Sequence, residues 1–311
     1  MNNNNSKGVS YTSGFFILIG LALLGLVIAS FIGVFALGVS TGGKISSDSL
    51  NDPKNADILR IIQALSVIVG MFAPAVITAS ILNRKPFALL GFQKTVRMKQ
   101  VLLVLAIVIL SLFIATAFSY INKLIPVSPW WKDWSDRLEK QYADQVTVML
   151  NLKSFGGYIS SLLIMAFLPA LCEETLFRGG LQNFLTRATR LPWLSILIVS
   201  IIFSLVHFSF YGFLPRLFLG VILGTIYYFT NNIWLSLCAH FLNNALAVTQ
   251  VYMLTLQGKN MNDAMNQDVP GLYWGFVLIP AVIFLLKKLK DNSRKEPVET
   301  DSLPENFLHG I

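Results

Sequence analysis

Eight apolar runs that carry no Asp, Glu, Lys or Arg dominate this chain and leave it few folds to choose from. They are Gly14 to Val39, Ile61 to Leu82, Val101 to Ile121, Phe155 to Cys172, Leu191 to Phe210, Leu217 to Phe229, Ile233 to Leu256 and Gly271 to Leu286. About 18 or more such residues, wound as a helix, cross roughly 30 Å of hydrocarbon. The sixth run is shorter, and only the turn-forming Thr230-Asn231-Asn232 separates it from the seventh. The expectation is an all-α, polytopic membrane helix bundle of about eight transmembrane helices. Composition agrees, with 54% hydrophobic and 13% charged residues, well to the apolar side of a soluble domain. The first run is longer than a signal-peptide core and lacks a small-residue cleavage site, so it reads as a retained span.

The net charge is +8, but the basic residues do not line one face with interleaved aromatics, so nucleic acid is not an expected partner. They cluster at the ends of apolar runs: Arg84-Lys85 with Lys94, Arg97 and Lys99; Arg187 and Arg190; Lys287-Lys288 with Lys290. The positive-inside rule assigns these to the cytoplasm, which places both termini there, with a bacterial inner (plasma) membrane as the expected location. Arg216, in a short outer loop, and the basic residues between Ile121 and Phe155 fall outside that pattern. Cys172 and Cys238, each in or at the end of an apolar stretch, form no disulfide framework and read as packing residues.

Three regions follow. Residues 1–150 form an N-terminal transmembrane region. It closes on an interfacial segment that begins Trp130-Trp131-Lys132-Asp133-Trp134 and runs amphipathically to Gln145. Residues 151–256 form a helical core. Residues 257–311 hold the last transmembrane helix and a polar cytoplasmic tail expected to be disordered.

Ionisable side chains are costly in lipid, so those retained there are candidates for function. Three places hold them: Glu173-Glu174 with Arg178, Phe203 with His207, and His240 with Asn244. Only three histidines occur, and the third, His309, lies in the tail. If the fourth span continues as helix, Glu174 and Arg178 share a face and pair, while Glu173 points about 100° away. An unpartnered carboxylate in apolar surroundings is suited to take a proton near working pH, so Glu173 is assigned the chemistry and Glu174 its support. Glu173 and His207 are equally far from the turn at Arg190, which sets them at one depth if the flanking helices are antiparallel. His240 and Asn244, four apart, share a face of a third helix. Read one by one, Glu173-Glu174 is also compatible with an acidic helix end, His207 with a packed histidine, and His240 with Asn244 as an interhelical hydrogen-bonding pair.

Glu173-Glu174-x-x-x-Arg178, Phe203-x-x-x-His207 and His240-x-x-x-Asn244 resemble the three motifs of the CAAX-processing and bacteriocin-processing (CPBP) family of intramembrane endopeptidases. The resemblance spans Phe155 to Leu256 and implies a catalytic set of Glu173, Glu174, Arg178, His207, His240 and Asn244. Glu173 would activate water with help from His207. Glu174 and Arg178 would support it, and His240 and Asn244 would hydrogen-bond the oxyanion. The implied partners are the lipid bilayer and a peptide or membrane-protein substrate, prenylated or not. Cofactor need stays open between none and a divalent metal such as zinc: two histidines and a glutamate form a reasonable set, but the spacing of His-Glu-x-x-His peptidases is absent. The competing readings are an ion- or proton-coupled transporter, for which no internal repeat is visible, and a catalytically idle membrane scaffold.

Overall fold

The computed structural model describes residues 5–150, 152, 154–258 and 272–293. The tail expected to be disordered, from 294 onward, and His309 lie outside the described residues, as does Gly271 at the start of the eighth run.

Inside lipid the backbone must satisfy its own hydrogen bonds, and a helix does so within one segment. Among the described residues the chain is helical, without a strand. The long elements are α1 (Tyr11–Ser40), α2 (Pro53–Leu82), α3 (Met98–Leu124), α4 (Pro129–Met149), α5 (Phe155–Thr189), α6 (Pro192–Leu205), α7 (Phe213–Thr230), α8 (Ile233–Leu256) and α9 (residues 272–293). The all-α membrane bundle is thus what forms. Among the described residues each apolar run lies largely on a helix, and five of these helices, α1, α2, α3, α5 and α7, are long and apolar enough to cross a membrane. Helices α6, α8 and α9 do not meet that standard of length and apolarity, so the count of eight is looser than the fold class. The outer face of α1 exposes Phe16, Phe31 and Phe35, an apolar surface that suits acyl chains rather than water.

Pro74 of α2 and Pro169 of α5 sit inside spans, and the chain handles both in the same way. Proline has no N–H to continue the ladder and its ring crowds the preceding turn. A widened π turn over Ile68–Phe72 precedes Pro74 in α2, and another over Leu162–Phe167 precedes Pro169 in α5. A third π turn, Thr175–Gln182, follows the paired glutamates without breaking the helix, so α5 runs well past Cys172, where its apolar run ends.

Small residues bring backbones together. A Cβ on Gly25 of α1 would strike the carbonyl oxygen of Val69 in α2, so that crossing needs glycine. Three apolar clusters hold the rest. One joins α1, α2, α5 and α6 around Leu18, Ala79, Phe184 and Val199; a second joins α3, α7, α8 and α9 around Ile107, Ile226, Leu235 and Leu289; a third ties α4 to α5 and α8 through Val146, Ala166 and Val248.

The fifth span is shorter than its apolar run. Helix α6 ends at Leu205, and residues 206–212 form a turn in which Phe208 adopts a left-handed φ of 48°. Asn122 of α3 fixes this turn by donating to the Phe210 carbonyl at 2.8 Å and accepting from the Leu214 N–H at 2.9 Å. His207 is therefore presented by a turn rather than by a helix interior, which corrects the reading of the run Leu191 to Phe210 as one span.

Candidate active site

The three motifs meet between α5, α6 and α8. On α5, Glu174 is fully buried and its Oε1 lies 2.9 Å from Nη1 of Arg178, as the four-residue spacing predicts. Arg178 is itself enclosed, donating through Nη2 to the Gly220 carbonyl at 3.3 Å, with its guanidinium carbon 4.5 Å from the centre of the Phe203 ring. Phe203 thus explains its place in the second motif. Its ring lies against the cation, and its carbonyl receives the neighbouring histidine.

That histidine is His207, whose Nδ1–H donates to the Phe203 carbonyl at 2.6 Å. A carbonyl only accepts, so the proton sits on Nδ1, and in the neutral ring Nε2 carries the lone pair. The Nε2 atom lies 3.9 Å from Oε2 of Glu173. The depth match expected from the turn at Arg190 is therefore met.

His240 arrives from α8 in a parallel arrangement. Its Nδ1 lies 2.8 Å from Oε1 of Glu174, and its Nε2 is 3.8 Å from the same Oε2 of Glu173. Two imidazoles thus converge through Nε2 on one carboxylate oxygen, which is buried and has no hydrogen-bond partner among the described residues. Both gaps exceed hydrogen-bond length and leave each nitrogen able to share one bridging oxygen with Glu173. Asn244, one turn beyond His240, accepts through Oδ1 from Asn243 at 3.1 Å, and its NH2 has no acceptor among the described residues.

These groups line a cavity of about 480 Å³ that also touches Gln63 and Val67 of α2 and Tyr142 and Val146 of α4. Helix α4, expected as an interfacial segment, therefore forms a wall of this cavity. It is fastened over the turn after α6: Ser209 donates to Glu139 at 2.6 Å and Tyr211 to Asp136 at 2.7 Å, while Trp131 meets Phe210 edge to face at 6.2 Å. Burial, then the carboxylate of Asp136, pushes the Tyr211 phenol up to about 12.

All six candidate residues take part in this cluster: Glu173, His207, His240 and Asn244 line the cavity, with Glu174 and Arg178 behind them. Arg216 was singled out in the sequence only as a misfit for orientation, yet it lines the same cavity. Its signal was available, since no other Lys, Arg, Asp or Glu occurs from Leu191 to Gly258. Cys172 and Cys238 are unpaired, the first buried and the second half-buried. Among the described residues no three or more His, Cys, Asp or Glu side chains are grouped closely enough to hold a metal ion.

No curated protein and no solved structure matches the chain. One family model does: residues 155–246 match the family described as type II CAAX prenyl endopeptidase Rce1-like. The matched stretch contains all three motifs and every residue of the cluster. Over that stretch the chain is similar to the Rce1-like endopeptidases, a protease family and the one its three motifs resemble.

Proposed function

We propose that the chain is an intramembrane endopeptidase that hydrolyses a peptide bond of a membrane-associated or lipidated peptide or protein by glutamate-activated water. One observation carries this reading: the Nε2 atoms of His207 and His240 converge on the same oxygen of Glu173, at 3.9 and 3.8 Å. Glu173 takes a proton from the attacking water as the oxygen bonds to the scissile carbonyl carbon, and later yields that proton to the leaving amine. His207, held in one tautomer by the Phe203 carbonyl, accepts the second hydrogen of that water through Nε2.

Attack converts the carbonyl oxygen into an oxyanion, which needs donors placed in advance. Asn244 supplies its NH2. His240 supplies Nε2–H in its imidazolium form, because its Nδ1–H is already committed to Glu174. Glu174 is then the counter-ion of that imidazolium, and Arg178 fixes Glu174. The catalytic residues all fall in the core of residues 151–256, while α2 and α4 of the N-terminal region supply cavity walls.

The test uses purified protein with Glu173→Ala and His240→Ala variants. Cleavage of prenylated and unprenylated peptides is followed with and without a chelator, and folding is checked by thermal denaturation. Cleavage by the wild type with loss in either folded variant upholds the reading, and chelator sensitivity decides whether a metal takes part. Variants that cut as well as the wild type overturn the site. A wild type that cuts none of the peptides, while Glu173→Ala still binds a partner protein, favours a scaffold.

A further inference from the structure

Half-buried Arg216 makes no side-chain hydrogen bond or ion pair among the described residues, unlike Arg60, Arg178 and Arg187. Arg60 donates to the Met149 carbonyl at 2.6 Å and pairs with Asp57, Arg178 pairs with Glu174, and Arg187 donates to Asn183 at 2.7 Å. The Nη1 atom of Arg216 is buried without a hydrogen-bond partner, and none of the ion pairs among the described residues includes Arg216. The carboxylates around it are otherwise engaged. Glu139 of α4 accepts from Ser209, Glu174 of α5 is shared by Arg178 and His240, and Glu173 lies beyond ion-pair distance of Arg216.

The side chain sits in the first turn of α7 and lines the cavity that holds Glu173, His207, His240 and Asn244. A cation without a hydrogen-bonded counter-ion is costly in such a place, and the positive end of the α7 dipole adds to the same field. A planar guanidinium with a free edge, opening into a cavity beside a hydrolytic centre, is built to take a carboxylate with two parallel hydrogen bonds. A peptide backbone offers such a group once, at its C-terminal end.

Resting on the peptidase reading, we propose that Arg216 is a specificity-determining residue that binds the free C-terminal carboxylate of the substrate. It sets the chain end in the cavity so that Glu173 acts on a bond a short way upstream. Substrates with a free terminus are then preferred, and an internal peptide segment of the same sequence is a poor one.

The test compares two prenylated Cys-aliphatic-aliphatic-X peptides, identical except that one ends in a carboxylate and the other in a carboxamide. For the wild type, kcat/KM for the acid is expected to exceed that for the amide by about tenfold or more. The ratio falls to about one in Arg216→Met. It is reduced but retained in Arg216→Lys, which keeps the charge without the fork. Equal cleavage of both peptides by the wild type overturns the proposal. So does a loss in Arg216→Met that is the same for both, since a structural role or an acidic side chain as the ligand would leave the ratio alone. Should Arg216→Met not fold, Arg216→Gln takes its place. Binding of the same two peptides to Glu173→Gln, read by fluorescence anisotropy, separates the two ideas. If the wild type cuts neither peptide and the acid still binds more tightly through Arg216, the peptidase reading fails and the carboxylate site stands. Equal binding of the two overturns the carboxylate site.

Discussion

His240 reaches across from α8 to place its Nδ1 2.8 Å from the buried Oε1 of Glu174, the same oxygen that Arg178 approaches to 2.9 Å. The second glutamate of the pair therefore acts on the chemistry through the histidine rather than through the water. It orients the ring by accepting from Nδ1–H, and on the proposed mechanism it is the counter-ion when Nε2–H is presented to the oxyanion.

Glu174→Gln tests this division. The amide keeps the size and an acceptor for Nδ1–H but cannot serve as counter-ion. On the reading above it removes one oxyanion donor, and kcat is expected to fall on the order of 10²-fold with KM little changed. Steady-state kinetics measure the split. A fall in binding alone would assign Glu174 to substrate contact instead.

Arg178 is the other half of that arrangement. Removing it by Arg178→Met leaves a fully buried carboxylate without its arginine, a change that costs about 3–5 kcal/mol when a buried pair is broken. Removing both charges with Glu174→Leu and Arg178→Met together is expected to recover part of that stability and none of the activity. Thermal denaturation of the two variants in detergent, beside a cleavage assay, checks both halves. A double variant less stable than Arg178→Met would show that the pair itself stabilises the bundle.

How much of this was legible in the sequence follows from which physical rules act locally. The cost of charge in lipid marked Glu173, Glu174, His207 and His240, and helical periodicity paired Glu174 with Arg178. The hairpin at Arg190 set Glu173 and His207 at one depth. The hydrogen bond from His240 to Glu174 was not legible, because it joins α5 to α8 and depends on how those helices cross. The π turn over Thr175–Gln182 leaves no local signature, and Phe208 gives no hint of a left-handed turn because glycine or asparagine is the usual occupant. The role of α4 was half legible: its tryptophans marked an interface, but only the bonds from Ser209 and Tyr211 show what it covers.

The fastening of α4 has its own pH signature. The Tyr211 phenol, ordinarily near 10, is pushed up to about 12 by burial and by Asp136, to which it donates. A raised phenol favours the fastened form at every pH below its ordinary value, and that contribution is lost as pH rises toward 12. Emission from the α4 tryptophans should therefore stay constant up to about pH 10 and shift above it. Tyr211→Phe should show the shifted spectrum already at neutral pH. A Tyr211→Phe spectrum identical to the wild type would mean that the Ser209 to Glu139 bond holds α4 by itself.

The basic clusters that suggested an orientation gather at one end of the bundle. Lys7 donates to the Ser80 carbonyl at 2.8 Å and Arg187 to the Tyr11 hydroxyl at 3.5 Å; Asn232 donates to the Thr95 carbonyl at 3.0 Å, and Arg97 to that of Asn292 at 3.3 Å. These contacts bring the N-terminal segment, the loop between α2 and α3, the end of α5, the turn between α7 and α8 and the end of α9 to one level. Helix α4, the turn at 206–212 and the cavity mouth lie at the other, where Asn122 and Arg60 make their bonds. We propose from the positive-inside rule that this basic end, with Lys7 and the end of α9, lies in the cytoplasm, so that the cavity opens toward the opposite face. Cysteines introduced singly at Lys94 and at Lys132, in a Cys172→Ala and Cys238→Ala background, should differ in intact cells. A membrane-impermeant thiol reagent is expected to label the residue at 132 and spare the one at 94. Labelling at 94 alone would invert the protein, so that Glu173 is reached from the cytoplasm and Arg216 meets chain ends presented there.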